Sequence, residues 1–327
     1  MSKKKLKKNR IEGIFRANEK GYGFVEIEGQ EDLFIPANKV NNALDGDTVR
    51  VIIEKPKIND RRAEGKIIKI LKHEKVTVVG IFQKSKNFGF VVPDDKRFGT
   101  DIFISKNKIR NAKNKDKVIA KILVYPQKGK NAEGEIIEVL GNTNEAGIDM
   151  LSVIKEYELP YEFPEFVLKE AKSIPQQIDI NDIKKRKDLR DDIIFTIDGE
   201  DAKDLDDAIS VKKLDDGNYK LDVHIADVSF YVKEDKKLDK EAIKRGTSIY
   251  MFDRVIPMLP FELSNGICSL NEGTDRFALS CSMEINPSGQ VISSDVYKSV
   301  IRVTKRMSYT DVNIILNNLD VDITNKY

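Results

Sequence analysis

Acidic side chains near the middle of the chain are the residues with the clearest chemical potential. Five aspartates and one glutamate fall within the ten positions from Asp198 to Asp207. If these carboxylates converge in the folded protein, their mutual repulsion requires a cation, and carboxylate oxygens favour hard ions such as Mg²⁺ or Mn²⁺. If they remain in solvent, they form an ordinary acidic loop. The spacing excludes an EF-hand calcium loop, because Gly199 stands at the second position and the terminal glutamate is misplaced.

A metal held by such a cluster would support phosphodiester hydrolysis if the protein also binds nucleic acid. A bound divalent ion lowers the pKa of water and so supplies hydroxide near neutral pH. A second ion, or a cationic side chain, stabilises the leaving oxygen of an in-line displacement. The chain has no glycine-rich phosphate loop ending in Gly-Lys-Ser/Thr, so use of ATP is not indicated.

The sequence around the acidic cluster predicts the elements that must position it. Residues 193–197 have the pattern of a buried strand, and a strand pattern resumes at 209–211. The sequence Asp-Asp-Gly-Asn at 215–218 predicts a turn, and residues 219–229 predict the next strand. The acidic residues are therefore expected in a loop that enters a β-hairpin.

An internal repeat organises the first part of the chain. Four short segments recur in the same order at offsets of 66 to 69 residues, namely 13–15 with 80–82, 22–25 with 88–91, 32–35 with 101–104, and 63–68 with 132–137. Ordered matches at nearly one offset indicate a duplicated domain. Each copy contains short apolar strands separated by Gly, Asn and Asp, which predicts a small closed barrel of the OB type.

Aromatic residues within the repeat suggest a surface for single-stranded nucleic acid. In a strand such as Gly-Tyr-Gly-Phe-Val at 21–25, alternate residues face opposite sides, and the glycines are expected to leave room for a flat base. Lys20 lies near the first aromatic cluster, and Lys84 and Lys86 lie near the second. Exposed rings beside cations form a stacking platform. The alternative is that the rings fill the barrel cores.

The two aromatic segments of each copy resemble the paired RNA-binding motifs of cold-shock domains. Gly-Tyr-Gly-Phe-Val with Asp-Leu-Phe-Ile, and Phe-Gly-Phe-Val with Asp-Ile-Phe-Ile, carry the resemblance. In that family the aromatics of both motifs stack on bases. The resemblance implies RNA-binding roles, with Lys86 added as a neighbouring cation, for Tyr22, Phe24, Phe34, Phe88, Phe90 and Phe103.

A longer resemblance covers nearly the whole chain from about residue 10. The acidic segment is similar to the catalytic signature of the ribonuclease II/ribonuclease R family, which is also called the RNB exoribonuclease family. Tandem cold-shock domains in front of this signature strengthen the resemblance. The matching motifs, in order, stand at 188–190, 196–208, 224–229, 255–260, 263–266, 268–271 and 275–276.

The resemblance implies catalytic roles for four aspartates. The family's catalytic positions fall on Asp198, Asp204, Asp206 and Asp207, which are expected to hold Mg²⁺, or Mn²⁺, around the scissile phosphate. Asp206 and Asp207 are expected to lie nearest the metal and the nucleophilic water. Asp201 lies in the motif but not at one of these positions.

Two tyrosines and a histidine complete the expected site region. Tyr250 stands at the spacing of the tyrosine that clamps the 3′-terminal nucleotide in the family, and Tyr309 resembles another position in the RNA channel. A place in the protein core is the alternative for both tyrosines. His224 is expected in a core strand and is assigned no chemistry.

The resemblance implies a 3′-to-5′ exoribonuclease that releases nucleoside 5′-monophosphates from single-stranded RNA with a free 3′ end, and structured RNA is an additional candidate substrate. Family members continue for several hundred residues, so we expect this chain to hold the N-terminal part of the catalytic domain. The remainder supplies an arginine that assists at the phosphate. The alternative is an RNA-binding fragment that does not turn over.

These observations predict a β-rich region followed by an α+β region: two tandem OB-type cold-shock barrels, then an incomplete RNB catalytic domain. Short helices are expected near 152–157 and 165–173. The expected boundaries are 1–9 for a basic tail, 10–75 and 76–141 for the barrels, 142–187 for a linker, and 188–327 for the catalytic part.

Composition limits the remaining function classes. Six of the first ten residues are Lys or Arg, which suits a solvated tail or a nucleic-acid-binding arm. No apolar stretch is long enough to span a membrane, and the basic N-terminus lacks the apolar segment of a secretory signal. Cys268 and Cys281 match no zinc spacing, so we expect two buried thiols in a reducing, cytoplasmic protein. We also expect a monomer.

Overall fold

The computed structural model describes residues 10–57, 62–127, 129–317 and 319–326. The predicted basic tail at 1–9 lies outside the described residues. The chain divides into two compact units, the first ending at Leu159 and the second beginning at Pro160. None of the helices in the described ranges is both long and apolar enough to cross a membrane.

The first repeat forms a closed barrel in which the strand order is β1-β2-β3-β5-β4. Alternate residues point inward, so Phe15, Val25 and Leu33 are buried in its core. A short 3₁₀ turn over Ala37–Lys39 follows the third strand. The strands are β1 (Arg10–Ala17), β2 (Gly23–Glu26), β3 (Leu33–Ile35), β4 (Thr48–Lys55) and β5 (Glu64–Lys72).

The second repeat forms a closed barrel of the same topology, with the order β10-β8-β7-β6-β9. Phe82 takes the core position that Phe15 takes in the first barrel. Short 3₁₀ turns cover Lys96–Phe98 and Lys106–Lys108. The elements are β6 (Thr77–Lys84), β7 (Phe88–Pro93), β8 (Ile102–Ser105), β9 (Asp116–Val124), β10 (Ala132–Asn142) and a helix, α1 (Ile148–Glu156), in the same compact unit.

The second unit is built on a seven-stranded sheet, counted over the described residues, with the order β11-β18-β17-β14-β13-β12-β19. Its strands are β11 (Lys187–Asp188), β12 (Phe195–Asp198), β13 (Asp207–Lys213), β14 (Tyr219–Ala226), β17 (Asp275–Ile285), β18 (Val291–Arg302) and β19 (Lys305–Ser308). A two-stranded hairpin stands apart from this sheet, formed by β15 (Ile249–Tyr250) and β16 (Val255–Ile256).

The second unit also contains several short helices. A one-turn helical segment covers Glu262–Ile267. It packs with α2 and α5 in a small apolar cluster that includes Val167, Leu238 and Leu263. The helices are α2 (Glu165–Ser173), α3 (Ile180–Ile183), α4 (Val228–Tyr231), α5 (Lys237–Arg245), α6 (Tyr309–Leu316) and α7 (Val321–Lys326).

One face of the large sheet is packed against other residues and the other face is exposed to solvent. One face packs on a buried cluster that includes Leu205, Leu270 and Ile301. The opposite face is apolar but exposed, with Val211 and Val296 among its uncovered side chains. Cys281 pairs in register with Val296 and is only partly buried, so the expectation of two buried thiols is wrong for this cysteine.

The predicted fold class, two tandem barrels followed by an α+β region, is confirmed. The strand predicted from residue 193 begins instead at Phe195, and Ile193 is 74% exposed. Ile194 is buried, and its carbonyl accepts the amide of Thr304, so only this residue of the apolar pair enters the core. The strand predicted to reach residue 229 ends at Ala226, because α4 begins at Val228.

Candidate functional site

Three aromatic rings form a cluster on the first barrel. The ring centroids of Tyr22 and Phe34 are 5.6 Å apart, those of Phe24 and Phe34 are 5.6 Å apart, and those of Tyr22 and Phe24 are 6.0 Å apart. All three rings are partly exposed, while their strand neighbours Val25 and Leu33 are buried. We call this cluster the first aromatic platform. The alternation of the strands explains why these rings face solvent and not the core.

The second barrel repeats the arrangement. The rings of Phe88, Phe90 and Phe103 form the second aromatic platform, with centroids 5.6 to 5.8 Å apart. Phe88 is 36% exposed, and Lys86 is exposed in the loop before it. The structure therefore brings the predicted rings together on each barrel.

Arg62 is a cation of the first platform that the sequence analysis missed. Its guanidinium carbon lies 5.4 Å from the centroid of the Phe24 ring, a distance suited to a cation–π contact. Arg62 precedes Ala63, where a repeated segment begins. A basic residue flanking a repeated segment was the available signal.

The glycines of the aromatic motifs have a different role from the one predicted. A Cβ atom on Gly23 would lie 2.4 Å from the ring of Phe15, and one on Gly89 would lie 2.2 Å from the ring of Phe82. Both glycines face the barrel interior, so they make room for a core phenylalanine. The expectation that they clear space for a base is wrong.

The acidic segment connects two adjacent antiparallel strands. Asp198 is the last residue of β12 and Asp207 is the first residue of β13, with Asp204 and Asp206 in the loop between them. The carbonyl of Asp206 accepts the amide of Ala226, which holds the loop against the end of β14. The strand ends thus bring the four predicted aspartates to one edge of the sheet.

Two of these carboxylates are electrostatically strained. Burial raises the pKa of Asp198 above its ordinary value, and Asp207 raises it further, while the charge of Arg306 opposes the shift. The pKa of Asp206 is also raised. The main cause is that surrounding protein displaces water from the carboxylate, although one side stays open to solvent, and the negative charges of Asp204, Asp207 and Asp198 raise the pKa further. The charges of Asp204, Asp207 and Asp198 all act on Asp206, so the four carboxylates lie within electrostatic range of one another.

The donor chemistry of the cluster suits a hard divalent cation. The Oδ2 atom of Asp198 is buried and has no hydrogen-bond partner, which is costly for a carboxylate oxygen without a cation. Within the described ranges, no three His, Cys, Asp or Glu side chains stand close enough to hold a metal in their present positions. Ion binding therefore requires the carboxylates to draw closer together.

The two predicted tyrosines lie beside this acidic edge in different ways. The hydroxyl of Tyr250 donates to Oδ2 of Asp204 at 2.5 Å, and the side chain remains 66% exposed. This hydrogen bond, followed by burial, raises the pKa of Tyr250 to about 12. Tyr309 is 65% exposed and follows Ser308, the residue paired with Asp198 across β12 and β19. Neither tyrosine is a core residue.

Two side chains, those of Arg306 and Ser269, form hydrogen bonds with the backbone of the acidic loop and hold it in place. The sequence analysis assigned no role to either residue. Arg306 donates from Nη2 to the carbonyls of Gly199 at 3.2 Å and Glu200 at 2.7 Å. Further along the loop, the hydroxyl of Ser269 accepts the amide of Leu205 at 3.1 Å and donates to the carbonyl of Lys203 at 2.8 Å. Ser269 stood inside the recognised motif at 268–271 and Arg306 stood outside the motifs named there, so only their three-dimensional contacts reveal these roles.

His224 lies in the core, as predicted. It is fully buried, and its Nδ1 atom is 2.7 Å from the hydroxyl of Ser280. Burial lowers the pKa of the imidazole. The buried thiol of Cys268 has its pKa raised by burial to about 12, so it is a poor nucleophile.

Comparisons with known proteins give a consistent set of similarities. The family model described as "RNB domain" matches residues 186–326. Models described as "Cold shock domain" and "Ribonuclease B OB domain" match residues 90–164 and 13–70. The OB match covers most of the first barrel, the cold-shock match covers the second barrel from within β7 onward, and the RNB match covers most of the second unit, including the acidic loop.

The chain is also similar to curated proteins along most of its length. Ribonuclease R of Thermotoga maritima is 48% identical over 309 residues, which are 94% of this chain and 43% of that protein. Ribonuclease R of Escherichia coli is 36% identical over 320 residues, which are 97% of this chain and 39% of that protein. The chain therefore spans about two fifths of the length of these relatives.

Solved structures show the same architecture. The structure of Mycoplasma genitalium RNase R in complex with ribose-methylated single-stranded RNA matches with a TM-score of 0.86 and 28% identity, covering 95% of this chain and 49% of that chain. Yeast Ssd1, described as a pseudonuclease, matches with a TM-score of 0.68 at 18% identity, covering 95% of this chain and 45% of that chain. The second match shows the fold alone.

Proposed function

The chain belongs to the ribonuclease R family, and we propose that it serves 3′-to-5′ hydrolysis of single-stranded RNA to nucleoside 5′-monophosphates. The observation that carries the proposal is the position of four aspartates at the adjoining ends of β12 and β13 and in the loop between them, with the hydroxyl of Tyr250 hydrogen-bonded to Asp204. The relative from Mycoplasma genitalium was solved with single-stranded RNA, which supports an RNA substrate.

We assign the metal to Asp198, Asp204, Asp206 and Asp207, with Mg²⁺ or Mn²⁺ as the ion. The bound ion would supply a hydroxide nucleophile by lowering the pKa of water. Asp206 and Asp207 would orient the attacking water, because they lie at the exit of the loop. Asp198 contributes the buried oxygen that lacks a protein partner. Tyr250 would hold Asp204 through its hydroxyl and offer its exposed ring to the 3′-terminal base.

The two aromatic platforms would bind the RNA strand. Stacking on an exposed ring is worth about 1–3 kcal/mol per base and is tolerant of sequence. Arg62 and Lys86 would contribute positive charge to the phosphates. Tyr309 would contact RNA near the acidic edge, because it follows the residue paired with Asp198. A free 3′ end, a monomeric state and a cytoplasmic location belong to the same proposal.

The domain boundaries given above remain proposals, with barrels at 10–75 and 76–141 and the catalytic part at 188–327. Helix α1 belongs to the compact unit of the barrels, although it falls within the proposed linker. The second unit begins within that linker, at Pro160.

A second candidate function is RNA binding without turnover. One observation favours it: the carboxylates in the described ranges are not at metal-binding separations. A member of this fold need not be a nuclease, since the structural neighbour Ssd1 is described as a pseudonuclease.

Shortening of a 5′-labelled single-stranded RNA tests the proposal. The purified chain is incubated with the RNA in Mg²⁺ and in EDTA, beside Asp206→Asn. Asp201→Asn is a matched control, because Asp201 is an exposed carboxylate of the same loop outside the four proposed ligands. Stepwise 3′ shortening that requires Mg²⁺ and Asp206 but not Asp201 supports the exonuclease. Binding without shortening supports the second candidate, and absence of RNA binding by a folded chain contradicts both.

A further inference from the structure

Arg306 connects the last strand of the sheet to the loop that carries the aspartates. Its side chain starts on β19 and reaches the carbonyls of Gly199 and Glu200, the two residues directly after Asp198. Gly199 also accepts the amide of Ala202, so this carbonyl is shared between a turn of the loop and the guanidinium. One arginine thus secures the point at which the chain leaves β12.

The position of Arg306 on its strand is itself fixed from two sides. The parallel pairing of β12 with β19 places Thr196 opposite Arg306 and Asp198 opposite Ser308. The carboxylate of Glu272 accepts the backbone amide of Arg306 at 2.9 Å and the ammonium of Lys305 at 3.0 Å. The guanidinium therefore extends from a strand whose register cannot easily slip.

The acceptors of Arg306 are peptide carbonyls and not carboxylates. A guanidinium bonded directly to an aspartate would occupy oxygens that a cation needs. Here it brings a positive charge near the acidic loop and leaves the carboxylate oxygens free, including the unpartnered Oδ2 of Asp198. Both bonds start from one nitrogen, Nη2, whose two hydrogens can serve the two neighbouring carbonyls, whereas the shorter side chain of a lysine would place its ammonium one bond nearer the backbone.

We propose that Arg306 is a positioning residue that holds the Asp198 end of the acidic loop in the arrangement needed for a divalent cation. The inference rests on the proposed metal role of the aspartates. It differs from a role as a simple counter-charge, and the two roles predict opposite effects. Loss of a counter-charge would strengthen cation binding, because the net charge around the four carboxylates would become more negative. Loss of a brace would weaken it, because the loop would have to be ordered when the cation binds.

Hydrogen exchange in the metal-free protein is the first test. Arg306→Gln removes the guanidinium with its charge, Arg306→Lys keeps a charge on a shorter side chain, and Arg302→Gln is the matched control. Arg302 is an exposed arginine of the same sheet that pairs with Asp275 and does not contact the loop. We expect severalfold faster exchange of the Ala202 and Leu205 amides in Arg306→Gln, an intermediate rate in Arg306→Lys, and no change in the control. Unchanged exchange in Arg306→Gln would overturn the inference.

Manganese binding, followed by electron paramagnetic resonance, is the second test. Supporting partners of metal ligands typically change metal affinity by 10–100-fold, and we expect about tenfold weaker Mn²⁺ binding in Arg306→Gln with partial recovery in Arg306→Lys. Equal or tighter binding in Arg306→Gln would show a counter-charge and contradict the positioning role.

The two tests separate this inference from the proposed function. If the wild-type chain binds Mn²⁺ but does not shorten RNA, the exonuclease proposal is contradicted. The Mn²⁺ affinities of the Arg306 variants then still decide the role of Arg306. A wild-type chain that binds no Mn²⁺ contradicts the metal assignment, and the exchange rates of the loop still decide whether Arg306 braces it.

Discussion

The phenol oxygen of Tyr250 lies 2.5 Å from a carboxylate oxygen of Asp204. Tyr250 belongs to a hairpin that is separate from the sheet carrying the acidic loop. The tyrosine can therefore act through two parts of its side chain. Its hydroxyl fixes a proposed metal ligand, and its exposed ring remains available to a base.

Substitution of Tyr250 should separate these two parts. Tyr250→Phe keeps the ring, so we expect its affinity for single-stranded RNA to stay near that of the wild type. Tyr250→Ala should weaken binding by about 1–3 kcal/mol through loss of stacking. Fluorescence anisotropy with a labelled RNA in EDTA measures both. Equal losses in the two variants would show that the hydroxyl, and not the ring, makes the contact.

The raised pKa of Tyr250, about 12, gives an independent check of the same hydrogen bond. The phenolate would face the Asp204 carboxylate and lose its donated hydrogen bond, so ionisation is shifted to higher pH. Asp204→Asn removes the carboxylate charge, and we expect the pKa of Tyr250 to fall toward its ordinary value of about 10. The difference in ultraviolet titration between each protein and its Tyr250→Phe counterpart isolates this residue. An unchanged titration would contradict the contact.

Asp206→Asn should stabilise the metal-free protein at neutral pH. Burial and three neighbouring carboxylates raise the pKa of Asp206, so its ionised form is disfavoured in the folded state. The stability that this group contributes is present below its unfolded pKa of about 4 and is lost as pH rises through the folded value. Solvent screening at this exposed carboxylate keeps the gain small, and each 1 kcal/mol would raise the Tm of a folding unit of this size by about 2–4 °C.

Calorimetry in EDTA at pH 7 measures this effect, with Asp201→Asn as the control in the same loop. The higher Tm of Asp206→Asn should disappear near pH 4, where the wild-type carboxyl becomes protonated and is therefore uncharged, as the asparagine is. Saturating Mg²⁺ should stabilise the wild type more than the variant, since a ligand that binds only the folded state raises stability. A variant less stable than the wild type in EDTA would argue against the repulsion.

We expect His224 to lower the free energy of unfolding as the pH falls. Burial lowers the pKa of its imidazole below the ordinary value of about 6.5, so the unfolded chain binds a proton that the folded chain rejects. Stability is therefore lost as pH falls below about 6.5 and is insensitive to this group above it. Urea unfolding at pH 5, 6, 7 and 8 should show a smaller loss in His224→Gln, which keeps a polar partner for Ser280. An identical pH dependence in both proteins would rule out His224 as its source.

Exposed rings of the platforms should contribute to RNA binding without supporting the barrel cores. Phe88→Ala removes a ring that is 36% exposed, and we expect a loss of about 1–3 kcal/mol in RNA affinity with little change in Tm. Phe166→Ala is the control, because Phe166 is a similarly exposed phenylalanine on α2, outside both platforms. Equal effects of the two substitutions on RNA affinity would remove the argument for a dedicated platform.

The sequence predicted the features that depend on local pattern. The duplicated motifs indicated two barrels, and strand alternation explains both the buried Val25 and the partly exposed Phe24. The four aspartates fell at the junction of two strand patterns, and the structure places Asp198 and Asp207 at those strand ends.

Features that depend on distant pairing were not predicted. The bracing role of Arg306 follows from the parallel pairing of β12 with β19, which no local pattern announces. The contact of Arg62 with Phe24 likewise requires the barrel to close. Gly23 was misinterpreted because the direction of its missing Cβ depends on which side of the strand faces Phe15.

The pairing of Asp198 with Ser308 also sets an order of events during synthesis, because the two positions are 110 residues apart in the sequence. At about 5–20 residues per second, a ribosome needs about 5–20 s to make that interval. The last barrel strand ends at Asn142, so on the proposed function the barrels could fold and engage RNA before β19 is available to pair with β12. On the proposed function, a nascent chain would bind RNA before the strand pairing beside its acidic loop is complete, and hydrolysis would become possible only after β19 has paired with β12.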